Sequence, residues 1–235
     1  MTERGARHCE RSGEHFRIGP SHVHWDGQRL DVRIDERTSP LPRPVRGLVT
    51  LQPLALSDFV TALDARGAHR WGPIAPRARI EVAFDEPALR WRGHAYFDSN
   101  EGDEPVTEAF IGWDWLRAPL ADGSTAVVYD VRESHGRGER LIARRFSPQG
   151  TAQAFEPGDR LALPHTRWRV ARHLRSERHG AVRRALEDTP FYARSLVDCR
   201  LLGESVHAVH ESLDVRRLAH PVVQAMLPVR MPRQR

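Results

Sequence analysis

The chain of 235 residues contains no lysine, so all 36 of its Lys+Arg positions are arginine. It has only two cysteines, Cys9 and Cys199, far apart and outside any C-x-x-C pair. That excludes a disulfide framework and any zinc site built on cysteine spacing. No apolar run approaches the roughly 18 to 20 residues that cross a bilayer as a helix. The opening MTERGARHCER lacks the apolar centre of a secretory signal. No tract of low complexity and no repeat with a period of roughly 20 to 50 residues is present, which sets aside solenoids, propellers and long disordered linkers. The expectation is a cytoplasmic chain.

What is there fits a globular protein: 40% apolar and 29% charged residues, with 17 Gly and 17 Pro implying many short elements separated by turns. The net charge of +5 and pI near 10.1 come from arginines scattered along the chain, without a nucleic-acid-binding motif. Nucleic acid is therefore not an expected partner, whereas an anionic lipid surface suits the charge.

The dominant period is two, the signature of strands with one buried face. In SHVHWDGQRLDVRIDE, Val23 and Trp25 alternate with polar residues, Asp26-Gly27 supplies a turn, and Leu30, Val32 and Ile34 alternate again, which predicts a hairpin. Further strands are predicted at 46–52, 78–84, 88–98, 124–132, 139–146, 166–174 and 195–201. Two segments read as helical: LSDFVTALDARG, with Ser57 as N-cap and Gly67 at the C-terminal stop, and SLDVRRLAHPVVQAML, interrupted by Pro221. The class is all-β and antiparallel, a set of strands that closes as a barrel or a sandwich.

Residues 91 to 115, WRGHAYFDSNEGDEPVTEAFIGWDW, combine six carboxylates (Asp98, Glu101, Asp103, Glu104, Glu108 and Asp114) with six aromatics (Trp91, Tyr96, Phe97, Phe110, Trp113 and Trp115). Buried charge is costly and rings favour burial, so the mixture points to a site. On an extended strand His94, Tyr96 and Asp98 share one face, either an acid/base set or the solvent face of an edge strand. HRWGPIAP places His69 and Trp71 on a common face, and its two prolines argue against a central strand throughout. DSNEGDEPVTEA fails as a calcium loop, because Gly102 stands at the fifth position and Ala109 at the twelfth. Carboxylates beside tryptophans also suit glycoside hydrolysis, which turns on a carboxyl separation that sequence does not give. Trp113 and Trp115 fit core packing at period two as well as they fit a site.

GHAYFDSNEGDEP, followed by WDW and preceded by HRWGPIAP, closely resembles the carotenoid 1,2-hydratases, also called hydroxyneurosporene synthases. The resemblance runs through all 235 residues, including STAVVYDV and PFYARS. Tyr96, Asp98 and Asn100 are shared with a broader lipocalin-like family. The resemblance implies lipocalin-like (calycin-like) antiparallel barrels, and addition of water to the terminal C1–C2 double bond of acyclic carotenoids such as neurosporene and lycopene, with no cofactor and no metal. It implies Asp98, Tyr96, Trp71 and His69 as catalytic residues. Trp91, His94, Trp113 and Trp115 are the expected substrate-binding residues.

The chemistry suits the acids and rings. Hydrating an isolated alkene needs a proton donor aimed at C2 and stabilisation of a tertiary cation at C1; Asp98 is the donor, and the rings of Trp71 and Tyr96 face the cation. His69 or His94 are candidates to hold the water. The rival reading is a non-catalytic lipocalin-like carrier of apolar ligands, which has no use for an acid in its pocket. Relative to the hydratases, the sequence reads as starting partway. Residues 1–74 are then the remainder of an N-terminal β domain and 75–235 a C-terminal lipocalin-like barrel, and the chain alone is expected to be weakly active and poorly soluble. A substrate dissolved in lipid implies peripheral association with the inner or photosynthetic membrane.

Overall fold

The computed structural model describes residues 4–38, 41–134, 136 and 138–227. The strands are β1 (Cys9–Arg11), β2 (His15–Ile18), β3 (Ser21–Trp25), β4 (Leu30–Arg37), β5 (Pro44–Ala55), β6 (Thr61–Ala62), β7 (His69–Glu86) and β8 (Leu89–Gly102). After a single helical turn, α1 (Val106–Ala109), come β9 (Phe110–Pro119), β10 (Thr125–Glu133), β11 (Glu139–Phe146), β12 (Ala152–Ala154), β13 (Asp159–Leu163) and β14 (Arg172–Ser176). The chain continues through β15 (Gly180–Asp188), β16 (Tyr192–Leu201) and β17 (Glu204–Asp214) to the short helices α2 (Val215–Leu218) and α3 (Pro221–Met226).

Two compact units result. Unit 1 comprises Met1–Leu54, Arg77–Tyr96 and Pro221–Arg235, and unit 2 comprises Ala55–Pro76 and Phe97–His220. The units interleave along the chain: β7 runs unbroken through residue 74, and β7 and β8 each give residues to both units.

In unit 1, β1 to β5 form a meander in which Val23 pairs with Val32 and Val32 with Val49, while Leu30 pairs with Leu51. The expected hairpin is present. Asp26 Oδ1 accepts from the backbone N–H groups of Gln28 at 2.9 Å and Arg29 at 2.7 Å, closing the turn chemically.

Unit 2 is built on a seven-stranded sheet in the order β12-β11-β10-β9-β17-β16-β15, with β13 and β14 paired separately. Among the described residues no ladder joins β12 to β15, so the sheet is antiparallel as expected but is not a barrel closed by hydrogen bonds. Alternation sorts its residues. On one face Leu116, Ala118, Val128, Val197, Leu201 and Ala208 form the apolar core. Two residues before Leu116 on that face, Asp114 accepts from Arg132 Nη1 at 2.7 Å, Ser212 Oγ at 2.5 Å and the His173 backbone N–H at 3.2 Å. Asp130 pairs with Arg175 Nε at 2.7 Å, and His210 Nε2–H donates to the His173 carbonyl at 2.7 Å. These bonds tie β14 to the sheet.

Three elements depart from the sequence-based expectation. Residues 56–67 are not helical: the Ser57 N–H donates to the Ile74 carbonyl at 3.0 Å and the Leu63 N–H to the His69 carbonyl at 2.8 Å. Pairing with β7 wins over helix propensity, and Gly67, at φ +70°, ends a turn that starts at Asp64. The strand expected at 166–174 begins only at Arg172, because Arg169 at φ 58° turns the chain, its N–H donating to the Thr166 carbonyl at 2.9 Å. The strand expected at 78–84 begins already at His69 and runs through Pro73 and Pro76. The terminal helical segment breaks before Pro221 as read, with Asp214 capping α2 through the Arg217 N–H at 3.1 Å.

The Asp114 cluster yields a pH test. Burial opposes ionisation of Asp114, but hydrogen bonding from His173 and the charge of Arg132 outweigh it, holding the carboxyl at about 2 against an ordinary 3.8. A depressed folded value contributes stability above pH 4 that is lost as pH falls toward 2, here about 2 kcal/mol. Asp114→Asn should therefore lower unfolding free energy by about 2 to 4 kcal/mol at pH 7, with a much smaller difference from the unsubstituted protein near pH 2, in urea titrations at both pH values.

Candidate functional site

A chain of aromatic rings runs through unit 2. Phe146 meets Phe59 at 5.7 Å between ring centroids, and Phe59 meets Trp71 at 6.1 Å. Trp71 meets Tyr129 at 5.5 Å, Tyr129 meets Trp113 at 6.1 Å, Trp113 meets Phe110 at 5.9 Å, and Phe110 meets His69 at 4.8 Å. All six contacts are edge-to-face, with interplanar angles from 61° to 88°. Each such pair adds about 0.5 to 1.5 kcal/mol beyond simple burial. Strand register explains the gathering: Tyr129 pairs with Trp115 and Val131 with Trp113, on the sheet face opposite the apolar core.

Asp98 joins this cluster through one bond. Trp71 Nε1–H donates to Asp98 Oδ2 at 2.8 Å, and Trp71 itself is 0% exposed. His69, 4% exposed, leaves β7 on the same side as Trp71. Its Nε2 is buried without a hydrogen-bond partner among the described residues and lies 4.0 Å from Glu104 Oε1. The intervening Arg70 turns the other way and grips Asp103 with two bonds of 3.1 Å.

Local backbone chemistry places these side chains. Asp64 Oδ1 accepts from the His69 N–H at 2.8 Å and Oδ2 from the Arg66 N–H at 3.1 Å, fixing the turn into β7. A Cβ at Gly102 would sit 2.6 Å from His69 Nδ1, so only glycine lets the ring in there. Gly150, at φ +91°, lets the Leu56 carbonyl approach to where a Cβ would lie 2.1 Å from it, which anchors the segment carrying Phe59.

The remaining acids of the 91–115 stretch have separate roles. Glu104 pairs with Arg66, Glu101 lies 3.8 Å from Arg70, and Asp114 belongs to the cluster on the opposite sheet face. Of the residues singled out from sequence, Asp98, Trp71, His69 and Trp113 come together through the contacts above. Trp115, half-buried, shares the sheet face of Trp113. Tyr96 is half-buried two positions before Asp98 on β8 and groups with unit 1. Trp91 and His94 are exposed residues of unit 1.

Sequence reasoning missed Tyr129, Phe59 and Glu211, and named Phe110 only as one of the rings of the 91–115 stretch. Tyr129 carried a signal, as the one aromatic in the apolar strand TAVVYDV. Phe59 was hidden by the helical reading of its segment. Glu211 sits in β17, where nothing local marks it.

The electrostatics single out Tyr129. Burial, then the charges of Asp98 and Glu211, push its phenol well above the ordinary value of 10. Glu211 is ion-paired with Arg194 Nε at 2.8 Å, and the Arg194 guanidinium lies 5.6 Å over the Tyr192 ring. Burial and Glu211 likewise raise the Tyr192 phenol. Among the described residues no group of three or more His, Cys, Asp or Glu side chains is arranged to hold a metal ion. No helix there is long and apolar enough to cross a membrane.

Comparison with known proteins agrees with the resemblance read from the motifs. Residues 1–235 match the carotenoid hydratase CrtC family. The chain is 54% identical over 236 residues to the acyclic carotenoid 1,2-hydratase of Rubrivivax gelatinosus and 48% identical to that of Thiocapsa roseopersicina. It covers 58% of each of these relatives, while they match 100% and 99% of this chain. Against the acyclic carotenoid 1,2-hydratase of Cereibacter sphaeroides the identity is 37%, over 100% of this chain and 84% of that one. In three dimensions the chain is similar to a crystal structure described as an AttH protein from Nitrosomonas europaea. The TM-score is 0.57 at 13% identity, covering 89% of this chain and 72% of that one, a likeness of fold.

The buried phenols give an alkaline test. A folded value raised above 10 contributes stability below pH 10 that is lost as pH rises past it. Of the three tyrosines, Tyr129 and Tyr192 should stay un-ionised in the native protein at pH 11 and titrate in urea near 10, followed by ultraviolet difference absorbance. Release of all three phenols near pH 10 with the fold intact would contradict the packing described.

Proposed function

The chain belongs to the carotenoid hydratase CrtC family, and we propose that it adds water across the terminal C1–C2 double bond of acyclic carotenoids, with Asp98 as proton donor. The observation that carries this reading is the 2.8 Å bond from Trp71 Nε1–H to Asp98 Oδ2 inside a cluster of rings. A neutral carboxylic acid has one carbonyl oxygen that accepts and one O–H that donates. The Trp71 N–H meets the first role at Oδ2, and the mechanism assigns the proton to the other oxygen.

In this mechanism Asp98 acts as the neutral acid, and its proton goes to C2, where the addition leaves the positive charge on the tertiary carbon C1. Ring faces of the cluster stabilise that cation, since cation–π attraction is stronger away from water. Trp71 is the first candidate and Tyr96, two residues before Asp98, the second. Water then bonds to C1 and gives a tertiary alcohol. The addition is redox-neutral and proceeds without a cofactor. A carrier would have no task for a carboxyl bound to the indole of a buried aromatic cluster, so the enzymatic reading is preferred.

The substrate is a long hydrocarbon held in lipid. The chain is proposed to work peripherally on the cytoplasmic side of the inner or photosynthetic membrane, its arginines meeting anionic head groups.

The test is incubation of the protein with neurosporene or lycopene in lipid vesicles made in heavy water. The expected product carries hydroxyl at C1 and one deuterium at C2. Asp98→Asn should cut turnover by about 100-fold or more while the protein stays folded. Trp71→Phe keeps a ring but loses the N–H to Asp98, so it should lower the rate, and Trp71→Ala should lower it further. Near-normal hydration by a folded Asp98→Asn variant, or deuterium at another carbon, would overturn the mechanism.

A further inference from the structure

A tryptophan ring gains from burial, yet Trp168, in the segment between β13 and β14, is 54% exposed. That segment is a closed turn. The Thr166 carbonyl accepts from the Arg169 N–H at 2.9 Å, Thr166 Oγ1 accepts from the Val170 N–H at 3.1 Å, and Arg169 makes the corner at φ 58°. Its tip is Arg167, Trp168 and Arg169.

The backbone of every tip residue is fastened to another part of unit 2. Asp188 Oδ2, at the end of β15, accepts from the Arg167 N–H at 2.7 Å. A single guanidinium, that of Arg217 in α2, donates to the Trp168 carbonyl at 2.7 Å, the Arg169 carbonyl at 3.1 Å and the Pro190 carbonyl at 3.2 Å. Val170, 0% exposed, seats the turn in the interior. Arg167, Trp168 and Arg169 are nevertheless all exposed. A backbone ordered this closely under side chains left in water adds nothing to the core, and it presents a ring and two cations in a fixed arrangement.

We propose that the Arg167-Trp168-Arg169 tip docks the chain on an anionic lipid bilayer, the indole entering the head-group layer and the guanidiniums pairing with lipid phosphates. The inference rests on the hydratase reading for its partner, a bilayer that holds a hydrocarbon substrate, and names the docking surface that reading leaves open. Indole rings settle at the head-group level, and each basic residue near an anionic leaflet strengthens binding by about 5-fold. The acids close by do not offset the tip. Asp188 is engaged by the Arg167 N–H and its Oδ1 is buried, while Asp214 lies 3.5 Å from Arg217 Nε. Because the tip backbone is already ordered, docking costs little entropy. The exposed Leu56 and Val60 are a poorer choice, since the exposed Asp58 stands between them and an anionic surface repels it.

The experiment measures co-sedimentation of the full chain with vesicles of phosphatidylcholine and phosphatidylglycerol in equal parts, and with phosphatidylcholine alone. Hydration of neurosporene is followed in the same vesicles and in detergent micelles, with circular dichroism melts to establish folding. Trp168→Ala should weaken binding to the mixed vesicles by about 10-fold, and Arg167→Gln with Arg169→Gln by about 20-fold. Arg79→Gln with Arg178→Gln, an equal loss of charge at exposed positions outside the tip, should weaken it by about 3-fold or less. Neutral vesicles should bind the unsubstituted chain at least about 10-fold less tightly. Both tip variants should show a raised KM for substrate in vesicles, an unchanged kcat, and normal rates in micelles. Unweakened binding by folded tip variants, equal weakening by the Arg79 and Arg178 pair, or equal binding to neutral vesicles would overturn the docking surface and leave the hydratase reading standing. Tip-dependent binding with no alcohol formed in either medium would overturn the hydratase reading and support the docking surface.

Discussion

Asp98 is held at the edge of the aromatic cluster by the indole N–H of Trp71 at 2.8 Å. For that bond to form, Trp71 must be buried with its Nε1 turned toward β8, and much of unit 2 serves this. Phe59 and Tyr129 close on the indole from different elements, at interplanar angles of 75° and 77°. Phe146 backs Phe59, and Trp113 backs Tyr129. The indole is fixed by four further rings and by the turn through Asp64. In the proposed mechanism, preorganisation of this kind places the donor without a reorganisation cost at the moment of reaction.

The sheet that carries three of these rings, Trp113, Tyr129 and Phe146, has two faces, and its sequence separates two tasks by parity. On β9, Trp113 and Trp115 face the cluster while Asp114 and Leu116 face the core. Both faces contain carboxylates, but in opposite company. Asp114 is surrounded by Arg132, Ser212 and His173, which hold it ionised. Asp98 accepts the indole N–H of Trp71. Two acids in one stretch of sequence are thus used apart, one in the cluster that ties β14 to the sheet and the other, in the proposed mechanism, as proton donor.

The hairpin at Asp26-Gly27, the all-β class and the break before Pro221 were legible because each rests on local chemistry: a turn residue, a period, a missing N–H. The pairing of Trp71 with Asp98 was legible only in part. Motif resemblance named both residues, but the bond joins positions 27 apart, and spacing alone does not show which acid of the 91–115 stretch meets the indole. Residues 56–67 were misread because their helix-like pattern of Phe59, Leu63 and Gly67 is overridden by backbone pairing with β7. Tyr129 and Glu211 were missed for a related reason. Register across β10, β9 and β17 puts them on one sheet face on either side of Trp115, at positions 82 apart in the chain.

The claim on which the account stands is that Asp98 holds a proton at neutral pH in the grip of Trp71. Infrared difference spectroscopy of the folded protein against Asp98→Asn at pH 7 tests it directly. The account predicts a carboxylic-acid C=O band that is lost in Asp98→Asn and moves to higher frequency in Trp71→Phe, where the carbonyl loses its N–H donor. A spectrum showing only loss of a carboxylate band from Asp98, unaffected by Trp71→Phe, would contradict it.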